Sequence, residues 1–256
     1  MSARGGDGAL RLLQLTDSHL FADPASELAG RAPQAGFARV REAIAAREPA
    51  LDGILVTGDL SHDGSEAAYE RLRQALEPLA PRVLVIPGNH DDPARMRQLF
   101  HAGPVQWVTS EVLGDWHLVL LDTACADTAA GRLGSEQLAA LDELLAAHPD
   151  RPTLIALHHQ PLAVGTPWID GIGLMDGDAL IDCLARHDQV RALLCGHVHQ
   201  AFAGVAGGVP LLAAPATSMQ FQPGSQDFTI DDQAPGYRWL ELGSDGALAT
   251  GVERIG

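Results

Sequence analysis

Three features of the sequence predict an α/β domain. Short runs rich in Leu, Ile and Val alternate with longer segments of helical period; five of those runs stop at clustered polar residues; and the last third of the chain becomes turn-rich and strand-like. The 256 residues, 46% of them hydrophobic, suffice for one sizeable core, so a single domain over 1–256 is expected. The Gly-rich, polar stretch 1–9 carries no apolar segment of the kind a signal peptide needs and is expected to be disordered.

The elements follow in order. Leu10–Leu15, LRLLQL, is short and almost wholly apolar, as a buried strand requires. Phe37–Arg47 sets Phe37, Val40, Ile44 and Ala45 at helical spacing. Ile54–Thr57 is a short buried strand, Glu66–Leu79 a helix and Val83–Ile86 a strand, followed by a strand at His117–Leu121. Ser135 is expected to cap a helix running to His148, with Leu138, Leu141, Leu144 and Leu145 on one face. Thr153–Leu157 is a strand, Asp178–His187 a helix and Ala192–Cys195 a strand. Beyond Ala201 the pattern ends in strands at Tyr237–Leu242 and Ala247–Arg254; Pro223-Gly224 and Pro235-Gly236 are turns within or beside a long polar loop at Gln220–Ala234.

A formal net charge of −16 argues against nucleic acid as a partner, because such binding runs on Lys and Arg neutralising phosphates. A small phosphate ester is not excluded, since bound metals invert the local field. No apolar run is long enough to span a membrane. Cys125, Cys183 and Cys195 lack metal-type spacing and are odd in number, which fits reduced cysteines in a cytoplasmic protein.

The chemistry is concentrated where strands stop. LRLLQL runs into Thr16-Asp17-Ser18-His19, GILVT into Gly58-Asp59, RVLVI into Pro87-Gly88-Asn89-His90-Asp91, TLIAL into His158-His159, and RALLC into Gly196-His197-Val198-His199. Sites in α/β sheets assemble at the carboxyl ends of strands. Extended backbone would turn Asp17 and His19 to one side, and likewise His197 and His199. A carboxylate such as Asp59 can bridge two ions, and Asn89 adds a neutral oxygen. Glycines 58, 88 and 196 would let the backbone turn before each ligand. This oxygen and nitrogen donor set suits Mn, Fe, Zn, Co or Ni. Singly, each motif is more often a cap, a turn or a pair of hydrogen-bonded histidines; five in succession, each after an apolar run, are hard to assign that way.

The set D-x-H, G-D, G-N-H-D, H and G-H-x-H resembles the calcineurin-like metallophosphoesterase superfamily. QLTDSHLF, GDLSHDGS, TPWIDGIGL, LLCGHVHQ and FTIDDQAPGYRWLEL narrow the likeness to bacterial class III 3′,5′-cyclic nucleotide phosphodiesterases. The resemblance implies a four-layer αββα sandwich of two mixed sheets flanked by helices. It implies two divalent ions, Fe or Mn first and Zn or Co next. Asp17, His19 and His199 would hold one ion, Asn89, His158 and His197 the other, and Asp59 would bridge them. His158 is expected as the ligand in preference to His159, being the first His after its strand. His90 would face the phosphate as the catalytic group, with Asp91 hydrogen-bonding and orienting it. A metal-bridging hydroxide would then open cyclic AMP to 5′-AMP, and Trp168 would line the substrate wall. A homodimer is also implied.

Sister families lose their diagnostic residues here. His62 stands where purple acid phosphatases carry a metal-bound Tyr, and Asp91 where protein Ser/Thr phosphatases carry Glu. A broad-specificity phosphodiesterase or phosphatase acting on esters such as glycerophosphodiesters would use the same ligands. A non-catalytic metal-binding scaffold would be expected to have lost some of them, and none is missing.

Overall fold

In the computed structural model, residues 8–48 and 50–256 are described. The expected N-terminal disorder falls, apart from Gly8 and Ala9, outside those residues. The first strand shows how the chain serves two cores at once. In β1 (Leu10–Leu15), Leu13 and Leu15 pack among Phe37, Val40 and Ile44 of α1 (Pro33–Arg47). Leu12, facing the other way, packs among Leu55 of β2 (Gly53–Thr57), Leu84 and Trp116. Period-two alternation thus loads both faces of one strand. The chain continues through α2 (Glu66–Leu76), β3 (Val83–Ile86), α3 (Pro93–Leu99), β4 (Val105–Gln106), β5 (Ser110–Leu113) and β6 (Trp116–Leu120). Next come α4 (Gly134–Ala146), β7 (Thr153–Ala156), the short α5 (Pro167–Asp170), α6 (Gly177–Leu184) and β8 (Val190–Cys195). The β-rich end holds β9 (Phe202–Ala206), β10 (Val209–Ala213), β11 (Gln220–Phe221), β12 (Ile230–Asp231), β13 (Gly236–Leu242) and β14 (Leu248–Arg254).

These strands form two six-stranded mixed sheets, ordered β14-β13-β1-β2-β3-β4 and β5-β6-β7-β8-β10-β9. Each is parallel in the middle and antiparallel toward an edge. A core of Leu12, Leu55, Leu84, Trp116, Leu154 and Leu194 joins the two inner faces. Helices α1 to α3 cover one outer face, and α4 and α6 the other, where Leu141, Leu145 and Leu180 meet Ile155 and Leu193. The expected αββα layering is therefore present. Gln14 links the sheets: its buried amide donates to Thr57 Oγ1 at 3.0 Å and to the Cys195 carbonyl at 2.9 Å.

Several boundaries differ from expectation for identifiable reasons. Helix α1 starts earlier, at Pro33, whose fixed φ suits a first turn. Ser135 lies inside α4 and does not cap it; the Asp176 carboxylate accepts from Leu133 N and Gly134 N instead, at 3.0 and 2.8 Å. A cap supplied from 42 residues away leaves no local signal. Gln220–Ala234 is not simply a loop, because β11 and β12 pair as a small hairpin within it.

Candidate metal centre

The parallel strands deliver their carboxyl ends to one place. The turn after β1 brings Asp17 and His19, that after β2 Asp59, and that after β3 Asn89, His90 and Asp91; from the other sheet, β7 leads to His158 and β8 to His197 and His199. Asp17, His19, Asp59, His158, His197 and His199 are all buried. The backbone is not extended there, as the two-residue spacing suggests. Asp17, His19, Asp59, His197 and His199 have φ of 53°, 45°, 51°, 67° and 48°, and among described non-glycine residues only Ala29 joins them at positive φ. Each such residue is strained by on the order of 1–2 kcal/mol, and strain of this kind persists where packing over-determines it. The paired side chains converge through left-handed turns, not through the pleat.

The glycines are needed mainly for close approach. Gly58 has φ 95°, as a sharp turn requires, but Gly88 and Gly196 are not left-handed. A Cβ on Gly88 would collide with the Asp59 carboxylate, and one on Gly196 with the Thr16 hydroxyl and the Thr57 carbonyl.

Around these turns the donor atoms point inward. His199 Nδ1 donates to the Met219 carbonyl at 2.8 Å, which leaves Nε2 facing Asp17 Oδ1 at 3.2 Å and His19 Nε2 at 3.0 Å. His158 Nδ1 donates to the Thr57 carbonyl at 2.8 Å, leaving Nε2 at 3.3 Å from Asn89 Oδ1 and 3.4 Å from Asp59 Oδ2. Asp59 Oδ2 also lies 3.5 Å from His19 Nε2, between the two groups of donors. His197 Nε2 is buried and has no hydrogen-bond partner. A buried, unpaired ring nitrogen beside crowded imidazole and carboxylate donors is what a cation site needs and what a purely hydrogen-bonded cluster avoids. The residues therefore fit bound metal.

The electrostatics agree. Burial would raise the Asp59 carboxyl, but His158 and His19 outweigh it and hold it well below the ordinary range. Burial likewise opposes, and His199 beside it reverses, the shift of Asp17, which is also lowered. Burial pushes His19 down to about 3 despite the pull of Asp59, and burial with His159 and His158 nearby holds His197 well below its usual value. His158 goes the other way: burial would lower it, yet Asp59 and Asp17 raise it to about 9. Without a cation, a proton on His158 offsets part of the charge of the two carboxylates.

The neighbouring residues separate into roles. His159 lies close to His158 and His197, but both its nitrogens are engaged, Nε2 with the Ala129 carbonyl at 3.0 Å and Nδ1 with Thr123 Oγ1 at 2.8 Å. Asp91 does not orient His90 as expected. Its carboxylate accepts from Ser61 N at 2.9 Å, Tyr69 OH at 3.1 Å, Gly88 N at 2.9 Å and Leu60 N at 3.1 Å, so it splints the β2 turn to the β3 turn. Its accepting oxygens are drawn to backbone N–H groups that have no other partner at these turns. His90 is exposed; its backbone N donates to Asp59 Oδ1 at 2.9 Å and its ring stacks on His62 at 4.4 Å. Trp168, on α5, packs against Phe221 and Phe228 at 4.9 and 5.3 Å, and the Phe221 ring lies flat on His199 at 3.9 Å. Phe221 was missed within a stretch that reads as polar loop, and Phe228, which opens the FTIDDQAPGYRWLEL stretch of the resemblance, was not singled out; two aromatics in such a stretch were the available signal. The sequence marks His62 only as the residue at the Tyr position of purple acid phosphatases; its contacts with His19 and His90 were missed because they depend on how the turns after β1, β2 and β3 meet.

A family model for calcineurin-like phosphoesterases matches residues 10–201, which includes every one of these strand-end residues. The chain belongs to the calcineurin-like phosphoesterase family. Members of this family are hydrolases that bind two metal ions, and the Asp and His donors of this member form groups suited to holding them. The 3′,5′-cyclic adenosine monophosphate phosphodiesterase CpdA of Pseudomonas aeruginosa is 41% identical over 249 residues, covering 97% of this chain and 91% of the relative. The protein of the same name from Escherichia coli is 39% identical over 252 residues, covering 98% and 91%. A 3′,5′-cyclic-nucleotide phosphodiesterase of Nostoc sp. is 37% identical over 246 residues, covering 96% and 92%. Among solved structures, a dimetal phosphatase from Danio rerio superposes with a TM-score of 0.69 at 15% identity, covering 96% of this chain and 99% of that one. A purple acid phosphatase from Lupinus luteus gives 0.70 at 13% identity, covering 97% and 52%. At these identities the two structures speak for the shared fold alone. Among the described residues no helix is long and apolar enough to cross a membrane.

Proposed function

We propose that this calcineurin-like phosphoesterase hydrolyses 3′,5′-cyclic AMP to 5′-AMP. The observation that carries the reading is an intact Asp–His–Asn donor cluster lying directly against an aromatic wall, through the flat contact of Phe221 on His199. Relatives at 37–41% identity that bear the names of cyclic nucleotide phosphodiesterases support it.

In this reading Asp17, His19 and His199 hold one divalent ion, Asn89, His158 and His197 the second, and Asp59 lies between them. Bound there, two such ions would supply a hydroxide nucleophile at neutral pH and draw charge from the phosphoryl oxygens. Donors of this kind accept Mn, Fe, Zn or Co, and Mn or Fe is taken first because the likeness to the class III cyclic nucleotide phosphodiesterases implies it. The chain's own part is orientation and proton transfer. The His199 and His158 rings are locked by their bonds to backbone carbonyls, so Nε2 of each stays turned inward. His90, exposed at the rim, gives a proton to the departing ribose O3′ as the P–O3′ bond breaks and water oxygen joins phosphorus. Trp168, with Phe228 half-exposed beside it, offers a stacking face for adenine. The reaction is placed in the cytoplasm, a reducing compartment consistent with three free cysteines.

The test is metal removal and return. Prolonged chelation should abolish turnover of cyclic AMP, and Mn²⁺ or Fe²⁺ should restore it with 5′-AMP, not 3′-AMP, as the product. Full activity in protein that elemental analysis finds free of metal would overturn the reading.

A further inference from the structure

His62 lies outside the proposed ligand set, at the position where purple acid phosphatases carry a metal-bound Tyr, yet it touches a proposed ligand and the proposed catalytic His at once. Its Nδ1 lies 3.2 Å from Nδ1 of His19, and its ring stacks on His90 with centroids 4.4 Å apart and planes inclined by 24°. Phe21 closes the other side at 4.7 Å. The backbone under it is fixed: His62 N donates to the Leu20 carbonyl at 2.8 Å, and Asp63 ties the same turn to Ala22 N at 2.9 Å and to Ser61 Oγ at 3.0 Å.

The tautomers follow from these contacts. His19 Nε2 is the nitrogen turned toward the donor cluster, 3.0 Å from His199 Nε2 and 3.5 Å from Asp59 Oδ2. To offer a lone pair there, His19 must carry its proton on Nδ1. His62 Nδ1 is in place to accept that proton's hydrogen bond, which puts the proton of His62 on its own Nε2. His199 and His158 receive the same service from backbone carbonyls. A ligating His whose second nitrogen has a partner is held in tautomer and orientation, and losing such a partner typically weakens metal affinity 10–100-fold.

We infer that His62 is a positioning residue with two separable jobs: its Nδ1 fixes the tautomer and orientation of His19, and its ring plane holds His90 at the rim. The inference rests on the proposed ligand set. It is specific to this chain's own residues, since a side chain without an aromatic ring at position 62 could do only the first job, and one without an acceptor only the second.

Two substitutions separate the jobs. In His62→Asn the amide oxygen takes the place of Nδ1 while the ring is removed. In His62→Phe the ring remains between Phe21 and His90 while the acceptor is lost. Metal affinity is read by chelator competition with Mn²⁺, the His19 tautomer by ¹⁵N NMR of the Zn²⁺-loaded protein, and kcat with cyclic AMP. His62→Phe should bind the ion held by Asp17, His19 and His199 about 10–100-fold less tightly. His62→Asn should keep Mn²⁺ affinity within about threefold of the parent and keep the His19 Nδ1–H signal, while kcat falls by roughly tenfold or more as His90 loses its support. Parent-like affinity and kcat in both variants would overturn the inference, as would equal loss of both properties in both variants together with a lowered Tm, which marks a merely structural role. A parent protein that binds no Mn²⁺ would instead overturn the metal reading beneath it.

Discussion

Asn89 and His90 are adjacent and follow one strand, yet their side chains are turned to different surroundings. Asn89 Oδ1 faces His158 inside the cluster, whereas the His90 ring stands exposed against His62. Asn89→Ala should therefore lower occupancy of the second ion, read by elemental analysis after dialysis. His90→Ala should retain both ions while kcat falls by roughly 10²–10³, the scale of losing one acid or transition-state donor. Equal metal loss in the two variants would make His90 a ligand. At this scale the meeting of Asp17, Asp59 and His197 was legible, because the placement of each depends on the strand before it. It was not legible where the job depends on a partner far along the chain. Nothing local reveals that Thr123 and Ala129 occupy both nitrogens of His159, or that Ser61 and Tyr69 claim the carboxylate of Asp91.

Among elements, β1, β2, β3 and β7 were read nearly to the residue, because fully buried runs such as VLVI leave few alternatives, whereas β4 and β10, which also pair in parallel, were not named. The hairpin of β11 and β12 was not, since two-residue strands carry no period. It is nonetheless tied into the site: Gly224 N donates to Thr166 Oγ1 at 3.0 Å, next to α5, and Phe221 N donates to the His199 carbonyl at 3.3 Å. Loop and hairpin thus present Trp168, Phe221 and Phe228 as one surface. Trp168→Ala should raise KM for cyclic AMP by about fivefold or more, base stacking on an aromatic being worth roughly 1–3 kcal/mol. KM for methyl p-nitrophenyl phosphate, a diester without a base, should change far less. An equal change for both substrates would show that Trp168 supports the loop and does not read the base.

For the whole molecule, two sheets from distant parts of the chain place carboxylates and imidazoles in one buried volume, and metal-free protein must settle that charge with protons. The sign follows from His158, raised from 6.5 to about 9. Between those values the folded chain holds a proton that the unfolded chain has released, so stability falls as pH rises through the window. Thermal unfolding of metal-free protein should show Tm declining over the upper part of that window, toward about pH 9, where the unfolded chain no longer protonates His19 and His197, whose lowered values act in the opposite direction near 6.5. Saturating Mn²⁺ should flatten the decline, since cation replaces proton. A metal-free Tm that rises across the window would place the extra proton elsewhere. The αββα plan and the convergence of the strand ends were legible because strand-helix alternation and motif order agree, but the bonds that tie the two sheets' ends together, such as that from His197 N to Asp17 Oδ2 at 3.1 Å, were not.

The central claim is that this centre and its aromatic wall serve a cyclic nucleotide. Its most direct test is kcat/KM for 3′,5′-cyclic AMP beside the values for bis(p-nitrophenyl) phosphate and p-nitrophenyl phosphate, using metal-stripped protein reloaded in turn with Mn²⁺, Fe²⁺ and Zn²⁺. The account predicts that, with at least one of these metals, cyclic AMP is the best of the three substrates and yields 5′-AMP. A cyclic AMP value far below both aryl esters under every metal would contradict it and make the protein a broad-specificity phosphoesterase.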